Sequence, residues 1–158
     1  MTGPILRSCA ALAAVALLAS CGPSARKAPV QASLIQPDCY TVDPYKKLRI
    51  AKPAKSLPER MSAFLGAWGG GAWGGAVCHD LYVLKVEPTG DAILFDAHGP
   101  GFSTDATAFT RRGVIGEDGR LRVRKGSAKV EYWIEDGRLH GVRKQGHHTT
   151  QIILTPKA

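Results

Sequence analysis

Arg120-Leu121-Arg122-Val123-Arg124-Lys125-Gly126-Ser127-Ala128-Lys129-Val130-Glu131-Tyr132-Trp133-Ile134-Glu135-Asp136-Gly137-Arg138-Leu139 is the stretch whose reading decides the fold. Apolar and polar residues alternate through it, and the dipeptides Gly126-Ser127 and Asp136-Gly137 interrupt the alternation. A two-residue turn fixes which residues face one another. Turning at Gly126-Ser127 sets Val123 opposite Val130 and Leu121 opposite Tyr132 on one face. On the other face Arg122 meets Glu131 and Arg120 meets Trp133. A second turn at Asp136-Gly137 carries the same inner face on through Ile134 and Leu139 and sets Glu135 opposite Arg138. Working backwards, Asp118-Gly119 read as a two-residue turn sets Glu117 opposite Arg120. The three turns agree on one inside, as an antiparallel meander requires, and they leave Arg112 and Arg143 pointing inward near strand ends.

Outward from this core the same rules place strands near 66–73, 79–87, 91–98, 106–116, 120–125, 128–134, 138–144 and 149–155. Short strands at regular spacing with turn signals between them predict an all-β fold: a small antiparallel up-and-down meander or barrel of about eight strands. Ahead of it Ser56 and Glu59 have the spacing of a capping box, with Pro58 in the first turn and Met61, Phe64 and Leu65 as an apolar side, so a short helix is expected. Gly66 to Gly75 is rich in glycine and carries Trp68 and Trp73, which puts the regularity of the first strand in question.

The N-terminus has a different character. Arg7 precedes an apolar run from Cys9 to Ala19, too short for a bilayer span of roughly 20 residues and of the length of a signal-peptide core. The run ends in Leu18-Ala19-Ser20-Cys21, which resembles the lipobox of bacterial lipoproteins. The resemblance implies cleavage before Cys21 and lipid, palmitate included, on that cysteine. With Gly22 next, it also implies an extracytoplasmic lipoprotein on the outer membrane facing the periplasm. Residues 21–57 carry Pro23, Pro29, Pro37, Pro44 and Pro53 with little apolar periodicity and read as an extended tether. The expected organisation is a signal peptide over 1–20, a lipidated proline-rich tether over 21–57 and a β-barrel-like domain over 58–158.

Of four cysteines, Cys9 leaves with the signal and Cys21 is acylated, so Cys39 and Cys78 remain, and in an oxidising compartment they are expected to form one disulfide. The chain has 21 Lys and Arg against 13 Asp and Glu, and losing Arg7 leaves 20 − 13 = +7. That balance favours anionic partners such as lipid headgroups or acidic polymers, export sets nucleic acid aside among them, and a solvated basic face without a partner is the reading it competes with.

Phe64-Leu65-Gly66-Ala67-Trp68 resembles the Gly-x-Trp opening of the lipocalin and calycin group, a short helix leading into the first strand. The resemblance implies an up-and-down barrel in which Trp68 closes one end and a basic side chain from a late strand packs over it, Arg143 being the nearest match. The segment from Phe64 to Glu87 is also similar to small exported bacterial domains of unassigned role.

Catalytic signals are sparse. His79, Asp80, Asp96, His98, His140, His147 and His148 fall in no H-E-x-x-H or C-x-x-C spacing. Neither Ser103 nor Ser127 sits in a G-x-S-x-G elbow, and no Lys-Ser/Thr follows the glycines as in a phosphate loop. The expectation is therefore a non-catalytic, cofactor-free binding or envelope-interaction module. It would be held to the membrane by its lipid and would take a small amphipathic ligand or contact an anionic envelope component. Trp73, Trp133, Arg112 and Arg120 are the candidate contact residues. The alternative is a metal-binding or hydrolytic domain using His79 and His98, which can approach one another at adjacent strand ends. Strands this short make a shallow barrel that its own side chains can fill, and a filled interior leaves surface contact as the activity.

Overall fold

Eight successive strands, alternating most regularly from β3 to β7, close the chain into an antiparallel barrel in which each strand pairs with the next and β8 returns to β1. A computed structural model of the chain describes residues 34–42, 48–101 and 105–157. The signal peptide, the lipidation at Cys21 and the first part of the tether lie outside these residues. The elements are α1 (Glu59–Ser62), β1 (Gly66–Trp73), β2 (Val77–Val86), β3 (Asp91–His98), β4 (Thr107–Ile115), β5 (Leu121–Lys125), β6 (Ala128–Glu135), β7 (Arg138–Gln145) and β8 (His148–Pro156).

The hairpins on either side of β6 have the register read from the sequence. Leu121 pairs with Tyr132, Val123 with Val130, Ile134 with Leu139 and Glu135 with Arg138. Asp136 at φ 50° and Gly137 at φ 69° take the left-handed conformations a two-residue turn requires. The turn before β5 differs. Gly116 donates to the carbonyl of Arg120 and Ile115 pairs with Leu121, so the loop is Glu117-Asp118-Gly119, three residues rather than two. One extra residue flips a whole strand. Ile115, Gly113 and Arg111 therefore face inward on β4, while Arg112, expected inside, is exposed on the outer face.

α1 also starts later than its apparent cap. Pro58 at φ −56° occupies the N-cap, no side chain caps the helix, and Ser56 lies in the preceding turn. Proline disfavours helical conformation in the residue before it, so the helix cannot reach back through Leu57 to Ser56. α1 still delivers its apolar side: Leu57, Met61 and Phe64 enter the core with Trp68, Leu81, Leu94, Ile115, Leu121, Tyr132, Leu139, Ile152 and Leu154. Burial of such side chains stabilises by about 1.5–3 kcal/mol each.

The glycine run lies where β2, β8 and a crossing segment come close to β1. Residues 34–41 of the expected tether lie outside β8, β1 and β2 as a strap: Ile35 bridges to Gly71, Gln36 donates to the carbonyl of Gly70, and Leu34 is buried. A Cβ at Gly71 would stand 2.1 Å from the Ile153 carbonyl oxygen, and one at Gly69 would stand 2.2 Å from an Asp80 oxygen. The ladder shifts register between Trp68 and Gly71, so β1 is irregular where it passes beneath the strap. Cys39 and Cys78 are disulfide-bonded with Cα atoms 5.3 Å apart, and Thr41 donates to Asp80 at 2.7 Å, which fixes the strap to β2.

Candidate functional site

Antiparallel order gives the barrel two unlike ends. At one end α1 covers Trp68, whose Nε1 donates to the Phe64 carbonyl at 2.9 Å, and the interior there is apolar. At the other, Trp73 ends β1 and the inward positions of β2, β3, β4, β5, β6 and β7 supply His79, Asp96 and His98, Arg111, Lys125, Tyr132 and Arg143.

Asp96 is the hub of this second end. Arg111 Nε donates to its Oδ2 and Lys125 Nζ to its Oδ1, each at 2.6 Å, while Nε2 of both His79 and His98 lies 3.4 Å from Oδ1. Tyr132 Oη stands 3.1 Å from His79 Nε2 and 3.3 Å from Lys125 Nζ. Burial alone would raise the Asp96 pKa, but the His98 hydrogen bond and the adjacent His79 and Lys125 overcome this and hold the carboxyl well below the usual range. Burial, reinforced by Lys125, pushes His79 well below its ordinary value, so its imidazole is neutral. Burial also lowers Lys125 to about 8 and raises Tyr132. The buried polar atoms without a hydrogen-bond partner among the described residues are Trp73 Nε1, His79 Nδ1 and Thr150 Oγ1, and all three belong to this end.

His79 and His98 pair directly across β2 and β3, their rings 4.6 Å apart. One ligand atom from each, with one from Asp96, lies within 4.8 Å of the others, a donor set of the type a first-row divalent metal accepts. The charge is less suitable. The carboxylate is already held by two cations, and a dication would have to enter beside Arg111 and Lys125. The donors fit a metal; their electrostatic surroundings do not.

The outer face near the same end carries a second feature. Arg124 pairs with Lys129 and Lys129 with Lys144, while Arg112 on β4 lies one residue past the last β4–β5 pair, Gly113 with Val123. All four are exposed, and none has an ion pair or hydrogen bond among the described residues. Towards the Trp68 end the same face is compensated: Arg122 pairs with Asp118 and Glu131, and Arg120 lies 3.7 Å from Glu131. Arg124, Lys129 and Lys144 thus stand on paired strands about 4.8 Å apart per step, with Arg112 beyond the end of the β4–β5 ladder, and the row has no anion beside it among the described residues.

The structure separates the other sequence candidates. Trp73 is interior, with Lys125 Nζ 5.8 Å from its ring. Trp133 is on the outer face between Arg120, 4.8 Å from its ring, and His140, stacked at 5.7 Å. Trp68 lies under α1. Arg143, expected to pack over it, instead pairs with Val130 and Thr150 at the opposite end, where its Nη2 donates to Gln145. The register explains the difference, since Trp68 pairs with Pro156 and Thr150 lies six residues earlier on β8. Arg111, Lys125 and Tyr132 were not singled out from the sequence. They converge from three strands, and the β4 register that turns Arg111 inward depends on the length of one loop. No protein-family model matches the chain, and no curated protein or solved structure matches it.

Proposed function

We propose that this chain is a lipid-anchored, non-catalytic envelope module that docks the Arg112–Arg124–Lys129–Lys144 row on the phosphate groups of anionic lipids. The observation that carries the reading is that row of exposed cations with no counter-ion. Like charges directly opposite one another in a sheet are destabilising, so an uncompensated ladder is matched by an external anion. Each Lys or Arg held near an anionic membrane contributes about 1 kcal/mol, roughly 4 kcal/mol for the row. The lipobox supports the same geometry. From Cys21 to Leu34 is 34 − 21 = 13 residues, at most about 3.6 Å each, which would keep the barrel within about 50 Å of the bilayer. Core side chains fill the apolar end of the barrel, which favours contact over carriage of an apolar ligand. Likeness to the lipocalin and calycin group rests on Gly66-Ala67-Trp68 opening an eight-stranded barrel, and the position of Arg143 does not add to it.

The mature chain with Cys21→Ala, which removes the acyl anchor, tests the docking. It should co-sediment with phosphatidylglycerol-containing vesicles, release at high salt and ignore phosphatidylcholine. Lys129→Gln with Lys144→Gln should lower partitioning about 30-fold. Equal binding to neutral vesicles, or no response to the double variant, contradicts the reading. For the anchor itself, Cys21→Ala expressed in a bacterial host should lose the mass of the acyl chains and should be released from the membrane fraction by a high-salt wash that leaves the acylated wild type in place.

The converging donors of His79, Asp96 and His98 favour a second reading, a metal-binding domain. Stoichiometric zinc in the protein purified from a bacterial periplasm, lost in His79→Ala with His98→Ala, would replace the first reading with this one.

A further inference from the structure

We propose that the Trp73 end of the barrel interior is a binding site for a phosphate group, as inorganic phosphate or a phosphate monoester, held by Arg143, Arg111 and Lys125 with Trp73 and Thr150. The site is separate from the outer row of cations, and three observations converge on it.

First is charge. Arg111 and Lys125 both hold the Asp96 carboxylate, and Arg143, on the inward side of β7, acts electrostatically on Lys125, so three cations share this end with one buried carboxylate, an excess of 3 − 1 = 2 positive charges. Charge withdrawn from water calls for a partner, and a phosphate monoester carries about −1.5 to −2 at neutral pH, close to the excess. A carboxylate would leave one cation uncompensated.

Second is unused hydrogen-bonding capacity. Trp73 Nε1 and Thr150 Oγ1 are buried donors without partners among the described residues. Arg111 spends only Nε on Asp96, and Arg143 spends only Nη2 on Gln145, which itself donates to Ser127 at 3.0 Å. Two guanidinium groups therefore keep free N–H donors, in the planar arrangement suited to phosphate oxygens. Buried donors left unpaired cost about 1–3 kcal/mol each, so an acceptor here is favoured.

Third is a way in. The β4–β5 ladder consists of Gly113–Val123, Val114–Arg122 and Ile115–Leu121, and it stops although both strands continue. Its next two steps would set Arg112 opposite Arg124 and Arg111 opposite Lys125, two like-charge pairs that explain why the strands part. The parted seam borders the cluster, and Phe109 beside it is 48% exposed although it lies on the inward side of β4.

Isothermal titration of the mature chain with inorganic phosphate and with glycerol phosphate tests the site, with acetate as the monoanion control. Saturable one-to-one binding of both phosphates is expected, at least tenfold tighter than acetate. Arg143→Met and Thr150→Val should each weaken it at least tenfold, with the Cys39–Cys78 bond and far-ultraviolet spectrum unchanged. Lys129→Gln with Lys144→Gln should leave it within twofold, so loss of vesicle docking and loss of this site are told apart. Binding of inorganic phosphate alone would assign the site to the free ion, and of glycerol phosphate alone to monoesters. No saturable binding, or weak binding equal for phosphate and acetate and unchanged in Arg143→Met and Thr150→Val, overturns the proposal.

Discussion

The two ends of this barrel solve the same packing problem with opposite chemistry. Under α1, Phe64, Trp68, Ile115, Leu121 and Leu139 fill the interior, and the one polar atom of Trp68 is satisfied by a backbone carbonyl. At the Trp73 end a single carboxylate organises Arg111, Lys125, His79, His98 and Tyr132, and three buried side-chain polar atoms are unpaired among the described residues. The outer face repeats the contrast, with paired charges around Asp118 and Glu131 and an uncompensated row from Arg112 to Lys144. A complete apolar core at one end supplies the stability that lets the other end keep charges serving no packing purpose.

The largest test of that contrast is Asp96→Asn. Removing the hub leaves Arg111 and Lys125 without a counter-ion, and breaking a buried pair in this way costs about 3–5 kcal/mol. The carboxyl pKa is depressed on folding, so this stability is present above the unfolded carboxylate range and is lost as pH falls through the folded value. Urea unfolding at neutral pH should show the whole deficit, and the gap between wild type and variant should narrow in acid. A loss under about 1 kcal/mol would mean the network is not organised around Asp96.

Next in size is the strap. Replacing Cys39 and Cys78 with serine should cost about 2–4 kcal/mol and open the segment around Tyr40 to protease. Unchanged melting temperature and unchanged protease resistance would show that strap contacts such as Leu34 and Thr41–Asp80 hold it unaided.

These outcomes bear on features of unequal legibility in the sequence. Alternation and two-residue turns made β5, β6 and β7 readable to the residue, and the Arg124–Lys129 step of the outer row follows from the Gly126-Ser127 turn alone. Asp118-Gly119 announced a turn but not its length. The added Glu117 put Arg111 rather than Arg112 inside, and with it the network that depends on Arg111. Pairing His79 with His98 needed only adjacent strands. Bringing Asp96, Lys125 and Tyr132 together needed the closed barrel, which no local pattern encodes. The glycines beneath the strap were visible as a run, but their reason, the close approach of Asp80 on β2, Ile153 on β8 and Leu34 of the strap, is a set of long-range contacts.

Smaller effects sharpen the comparison from each end. Trp68→Phe at the closed end removes one satisfied hydrogen bond and should cost about 1–2 kcal/mol by thermal denaturation. Thr150→Val at the other end removes a hydroxyl that has no partner among the described residues, and should be neutral or stabilising by up to about 1 kcal/mol. If Thr150→Val were the more damaging of the two, the ends would not differ as described.

The central claim, that activity resides in the uncompensated outer row, is tested most directly by amide chemical-shift mapping of the mature chain, Cys21→Ala, on nanodiscs containing phosphatidylglycerol. Perturbation and line broadening are expected to centre on Arg112, Arg124, Lys129 and Lys144, to reverse with salt and to be absent on phosphatidylcholine. Perturbation centred on α1 and the Glu117–Gly119 loop, or none at either composition, would contradict it.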